Sequence, residues 1–141
     1  TVLCGDDART ADYDSVPQAV FTHPQVGSVG LSEEKARTLY GDRVRVYRNA
    51  YSDIIAGISM GYSKRRGDDG FAKIIADADT HDMLGMTIVG PHATELIGGV
   101  ALGRLLEVTP EEIALSVYPH PTVSEVIHEA ALDLLGHALH I

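Results

Sequence analysis

The sequence predicts an α+β domain: an antiparallel sheet of about four to five strands with helices packed on it. Two observations carry this. Short apolar runs of strand character, broken by turn residues and one helical piece, fill the chain up to Gly90. From His92 onward the apolar residues recur at helical spacing instead. Strands first and helices after is the pattern of an α+β fold. The length of 141 residues suits one domain, and 45% hydrophobic residues suffice for a core.

Each element follows from its own residues. Val16 to Thr22 is a short apolar run with Pro17 at its start, which suits an edge strand. Val26 to Leu31 reads as a second strand. Ser32 then caps a helix running to about Tyr40, with Glu33 and Glu34 in its first turn. Arg43 to Tyr51 alternates, with Val44 and Val46 on one side and Arg45 and Tyr47 on the other. Ile54 to Met60 is a further apolar piece. Gly70 to Asp77 and Met83 to Gly90 read as two strands, joined through Ala78-Asp79-Thr80-His81-Asp82 as a hairpin.

The helical half begins with one face made of Ile97, Val100, Ala101 and Leu105. Gly98, Gly99 and Gly103 lie inside this stretch and suggest close packing through small residues. Their spacing does not fit a dinucleotide-binding turn. Thr109-Pro110-Glu111-Glu112 is a helix start: a capping threonine, proline at the first position, then two acids. A last helix is expected from near Thr122, with Val123, Ile127, Ala130, Leu134 and Ala138 on its apolar face.

Composition excludes several functions. The formal net charge is −9 with 11 Lys+Arg, so phosphate backbones are repelled and no nucleic-acid partner is expected. The one basic cluster, Lys64-Arg65-Arg66, runs into Gly67-Asp68-Asp69-Gly70 and reads as a solvated turn. No apolar run is long enough to cross a membrane. The single cysteine, Cys4, rules out an internal disulfide and fits a reducing, cytoplasmic setting. His120 and His128, or His137 and His140, lack a convincing third ligand, so no metal site is expected. Residues 1–14 read as the tail of a preceding domain and residues 15–141 as the domain itself. With no initiator methionine, the chain reads as part of something longer.

The chemistry concentrates in Tyr118-Pro119-His120-Pro121-Thr122-Val123-Ser124-Glu125. Two prolines bracket one histidine, and Pro121 keeps His120 extended and out of any helix. A stiff loop at a helix start is a good mount for an outward-pointing side chain. Glu125 lies five residues on, within reach of the ring. Such a carboxylate would fix the tautomer, and the pair would serve as general base and acid. The same residues also match a capping box, in which Glu125 would bond the backbone of Thr122. One carboxylate serving both roles at different moments is a third possibility.

His120-Pro121-Thr122-Val123-Ser124-Glu125 resembles the His-Pro-Thr-x-x-Glu signature of the pyridine nucleotide-disulfide oxidoreductases. That family includes dihydrolipoamide dehydrogenase and the glutathione, mycothione and mercuric reductases. The likeness extends upstream. Val16-Pro17-Gln18-Ala19-Val20-Phe21-Thr22-His23-Pro24, followed by Val29-Gly30-Leu31-Ser32-Glu33, is similar to the opening of the family's dimerisation domain. Gly70-Phe71-Ala72-Lys73-Ile74 and Leu84 to Gly90 resemble its central strands, and Glu95-Leu96-Ile97 its next helix. The match runs from about Ser15 to Leu135 in the family's order.

The resemblance implies a homodimer in which His120 reaches the partner subunit's active site. There it would move protons between an interchange thiol and a disulfide or dithiol substrate, with Glu125 orienting it. His120 and Pro121 would also approach the flavin. The full-length enzyme would use FAD and NAD(P)H, yet the Cys-x-x-x-x-Cys pair and the Gly-rich turns are missing here. This chain alone is therefore expected to bind no FAD. Tyr118-Pro119 and Val123 lean slightly toward a lipoyl substrate. The competing expectation is a free-standing, non-enzymatic module for self-association or ligand sensing, motivated by the missing cofactor motifs.

Overall fold

A computed structural model describes residues 12–63 and 70–137. The turn expected at Lys64-Arg65-Arg66, residues 1–11 of the tail expected over residues 1–14, and the apolar position assigned to Ala138 lie outside the described residues.

The sheet has five strands, all antiparallel: β1 (Gln18–Val20), β2 (Val26–Gly30), β3 (Val44–Ala50), β4 (Phe71–Asp77) and β5 (Met83–Val89). Their spatial order is β1-β2-β5-β4-β3. Among the described residues five α-helices accompany them: α1 (Glu33–Tyr40), α2 (Ile55–Ser59), α3 (Ala93–Leu105), α4 (Pro110–Leu115) and α5 (Glu125–Leu134). The expected α+β architecture is what forms. The edge strand is shorter than its apolar run, since only Gln18 to Val20 pair and all three are exposed.

Both faces of the sheet are covered, unequally. Ala72 and Ile74 of β4, with Met86 and Ile88 of β5, meet Ile97 and Val100 of α3 and Val126, Ile127, Ala130 and Ala131 of α5 in the main core. Ile75 and Leu84 turn to the opposite face, where Ala36 of α1 and Val44 of β3 form a smaller cluster. Strand period explains most of this. A bulge explains the rest: Ile75 pairs with Gly85 and Ala76 with Met83, so Leu84 is the extra residue. Met83 thereby stays with the main core while Leu84 joins the α1 side. Arg104 of α3 donates to the carbonyls of Met83 (2.7 Å) and Leu84 (2.8 Å) at that bulge.

Local start signals are used as the residues dictate. Ser32 Oγ accepts from Lys35 N–H at 3.2 Å to open α1. At α4, Thr109 N–H donates to Glu112 Oε2 at 2.7 Å, and Thr109 Oγ1 accepts from Glu112 N–H. Two expectations for α3 fail. Leu105 is 70% exposed, because it lies eight residues, at about 100° each, from Ile97 and has rotated off the buried stripe. Gly98 and Gly99 pack against nothing within the described chain; a Cβ there would meet open space.

The close approach happens elsewhere. A Cβ on Gly27 of β2 would stand 2.4 Å from the Ala93 carbonyl oxygen and 2.9 Å from Ile97 Cβ. Only glycine lets α3 lie this near the strand. Tyr51, wholly buried, anchors the same corner through a 3.0 Å bond from its hydroxyl to the Pro91 carbonyl. Burial pushes its phenol well above the usual range, so it remains a donor.

Gly27→Ala is expected to cost at least about 2 kcal/mol, the range of overpacked cores. Urea unfolding measures it; an unchanged midpoint would refute the tight α3–β2 contact.

Candidate functional site

After α4 the chain leaves helical geometry at Ser116, which is extended, and continues as a loop through Tyr118-Pro119-His120-Pro121. The His120-Pro121 peptide bond is cis. His120 stands out from the surface with its side chain 57% exposed, while the Glu125 side chain is only 16% exposed. His120 Nδ1 lies 2.7 Å from Glu125 Oε1. An ionised carboxylate only accepts, so Nδ1 carries the proton and donates. The second nitrogen, Nε2, then keeps its lone pair and is an acceptor.

The other oxygen of Glu125 is occupied as well. Thr122 N–H donates to Oε2 at 2.8 Å. The two readings of Glu125, cap and histidine partner, are therefore satisfied together, one per carboxylate oxygen. The helix itself starts at Glu125 rather than near Thr122, with Ser124 as its N-cap. Thr122 Oγ1 does not complete a capping box; it donates to the Pro119 carbonyl at 2.8 Å and closes the loop. The buried face of α5 is broader than Val123, Ile127, Ala130 and Leu134 suggest, since Val126 and Ala131 are fully buried too.

Two contacts have little or no signal in the sequence. His128 donates from Nε2 to the Ala114 carbonyl at 2.9 Å. Its ring stacks on Tyr118, with centroids 5.0 Å apart and planes 19° from parallel. Spacing offered a faint signal, because His128 sits three residues after Glu125 on one helix side. A second histidine–carboxylate pair, His81 with Glu111, joins the β4–β5 turn to α4. Thirty residues separate the two, so no local pattern reveals it. Burial works to raise the Glu111 carboxyl, but bonds from His81, its own N–H and Thr109 hold it below the usual range. Among the described residues no cluster of three or more His, Cys, Asp or Glu could hold a metal.

His120 and Pro121 are both exposed. Beside the loop, an apolar groove of about 510 Å³ opens between α3, α4 and α5, lined by Leu96, Gly99, Val108, Tyr118 and Ile127. No helix among the described residues is long and apolar enough to cross a membrane.

This sheet, with a histidine loop leading into its last helix, defines a class. Residues 16–131 match the pyridine nucleotide-disulphide oxidoreductase dimerisation domain, and the chain belongs to that family. Its relatives include the dihydrolipoyl dehydrogenases of Bacillus subtilis and Halobacterium salinarum. The first is 40% identical over 98% of this chain and 28% of the relative; the second is 39% identical over 99% and 28%. That of Rhizobium etli is 41% identical over 94% and 26%. The crystal structure of LpdA from Mycobacterium tuberculosis superposes with a TM-score of 0.75 at 25% identity, covering 94% of this chain and 28% of that one. The chain thus spans little more than a quarter of the length of these relatives.

Because Glu111 titrates lower when folded than when free, its contribution is present above the ordinary glutamate range and is lost as pH falls through its lowered value. Glu111→Gln is expected to flatten the acid limb of a thermal-stability profile. An acid limb identical to that of the unaltered chain would contradict this.

Proposed function

We propose that this chain serves as the dimerisation domain of an FAD-dependent NAD(P)H:disulfide oxidoreductase, most similar in kind to dihydrolipoyl dehydrogenase. In this reading His120 and Glu125 are its acid–base pair. The observation that carries the proposal is the 2.7 Å bond between His120 Nδ1 and Glu125 Oε1 on an exposed, proline-bracketed loop. Family membership and the dihydrolipoyl dehydrogenase relatives support it. The domain would begin near Ser15, and the missing parts would lie in the rest of a longer protein.

The chemistry follows from the tautomer. With Nδ1–H committed to Glu125, neutral His120 holds a lone pair on Nε2. It takes the proton from a substrate thiol, leaving the thiolate that attacks a disulfide. The resulting imidazolium is stabilised by the Glu125 carboxylate next to it. It returns the proton to the sulfur that leaves. When bound, FAD would supply the electron path between NAD(P)H and a cysteine pair, and His120 and Pro121 would be the residues of this chain that approach it. A thiol alone ionises near pH 8.5, so a positioned base is needed at neutral pH. A lipoyl or other small dithiol is the substrate class we assign.

The homodimer has a face to use. Gly98, Leu102 and Leu105 follow the i, i+4, i+7 pattern on α3, with Gly99 and the capping Leu106 beside them, and all are exposed. Leu102, Leu105 and Leu106 are 57–70% exposed, and Leu115 and Val117 at the end of α4 are exposed as well. Glycines there permit a close backbone approach, and among the described residues nothing makes one to Gly98 or Gly99. A two-fold contact through this face would bury it.

In the full-length holoenzyme, His120→Ala is expected to lower disulfide turnover by about 100-fold, while NAD(P)H still reduces the flavin at its normal rate. Normal turnover of dihydrolipoamide in stopped-flow assays would sink the acid–base role. Leu102→Arg with Leu105→Arg is expected to convert the dimer to monomers in sedimentation velocity. A dimer that survives would move the interface elsewhere.

A further inference from the structure

We infer that His128 and Tyr118 form a positioning clamp for the His120 imidazole, an inference that rests on the acid–base reading of His120. The spacings on the helix and on the loop match. Glu125 and His128 are three residues apart on α5 and therefore stand on one side of the helix, a turn apart. His120 and Tyr118 are two residues apart on the loop that runs past them. From that loop both side chains reach the same helix. The two pairs meet rung for rung: Glu125 on His120 at 2.7 Å, and His128 on Tyr118 with ring centroids 5.0 Å apart.

One rung alone would leave the loop free to pivot about the Glu125 carboxylate. The second rung removes that freedom. Tyr118 is half-buried and packs against the main core, so its ring is itself fixed. His128 is fixed by its 2.9 Å bond to the Ala114 carbonyl, in the last turn of α4, where helix carbonyls lack partners. The loop leaves α4 at that same end. His128 therefore ties together the helix before the loop, the loop itself and the helix after it. The bond from Thr122 Oγ1 to the Pro119 carbonyl closes the span between the rungs. Neither ring of the clamp needs to touch substrate; its work is to hold the direction in which Nε2 points.

The test pairs kinetics of the holoenzyme with NMR of the 141-residue chain. With dihydrolipoamide as probe, His128→Ala and Tyr118→Ala are each expected to lower kcat about 10-fold, as small misplacements of a catalytic group do. KM and the rate of flavin reduction by NAD(P)H should hold. Tyr118→Phe keeps the stack and should restore kcat. On a His120→Ala background, adding His128→Ala should cost nothing more, because the clamp acts through the missing ring. In the isolated chain, the His120 Nδ1–H resonance should be protected, and His128→Ala should broaden it by exchange. Wild-type kcat in both alanine variants, or an equal loss on the His120→Ala background, overturns the clamp. If His120→Ala itself turns over normally, the acid–base reading fails and the resonance decides alone. A His120 Nδ1–H signal as protected in His128→Ala as in the unaltered chain then refutes the clamp.

Discussion

Helix α5 is held on the sheet by a stripe of wholly buried side chains, and the geometry of the site depends on that seal. Val126, Ala130 and Ala131 are shut between α5 and the strands, with Ile127 nearly so. Two of these four are alanines, so the helix lies close and has little room to roll. Burial of such a stripe is the main source of helix stability in a domain of this size. Glu125 and His128 sit beside the stripe, and their directions are set by it. The carboxylate then sets the histidine tautomer, and the tautomer sets which nitrogen keeps its lone pair. A shift in the core would pass directly to Nε2.

The second constraint is that α3 is apolar on two sides. Ile97 and Val100 face the sheet, with Gly27 allowing the helix to settle against β2. Leu102, Leu105 and Leu106 face away. A helix with two apolar faces belongs between two packed surfaces, and the fold of this chain provides one. The membership of the chain in a dimerisation-domain family gives that spare face a natural use. The loop bearing His120 also begins from the helix that follows α3. On the proposed reading, association and placement of the histidine are therefore parts of one arrangement.

Much was legible in the residues. Ser32 and Thr109 announced their helices because capping is a local bond between near neighbours. The β4–β5 hairpin was legible because its two apolar runs flank a turn-rich stretch. His120 and Glu125 were legible as a pair because only five residues separate them and a proline keeps His120 out of the helix that carries Glu125. Even there, the sequence posed capping and histidine pairing as rivals. The three-dimensional arrangement removed the rivalry, since a carboxylate has two oxygens and the loop delivers one donor to each.

What the sequence determined by itself was thus the local grammar: element type, helix starts, the stiff loop and the pair it carries. What only the tertiary structure decided was every contact between residues distant in the chain. The bulge at Leu84 flips a side chain across the sheet, which strict alternation cannot foretell. Gly27, not Gly98 or Gly99, is the glycine that lets a helix approach, because space around a Cβ belongs to the packed layers and not to the run of residues. His128 found Ala114 and Tyr118, and His81 found Glu111, only once α4 had docked against α5 and the hairpin turn. Short-range bonds are written in spacing, whereas these partners meet because burying apolar surface, which has no directional preference of its own, brought their elements together.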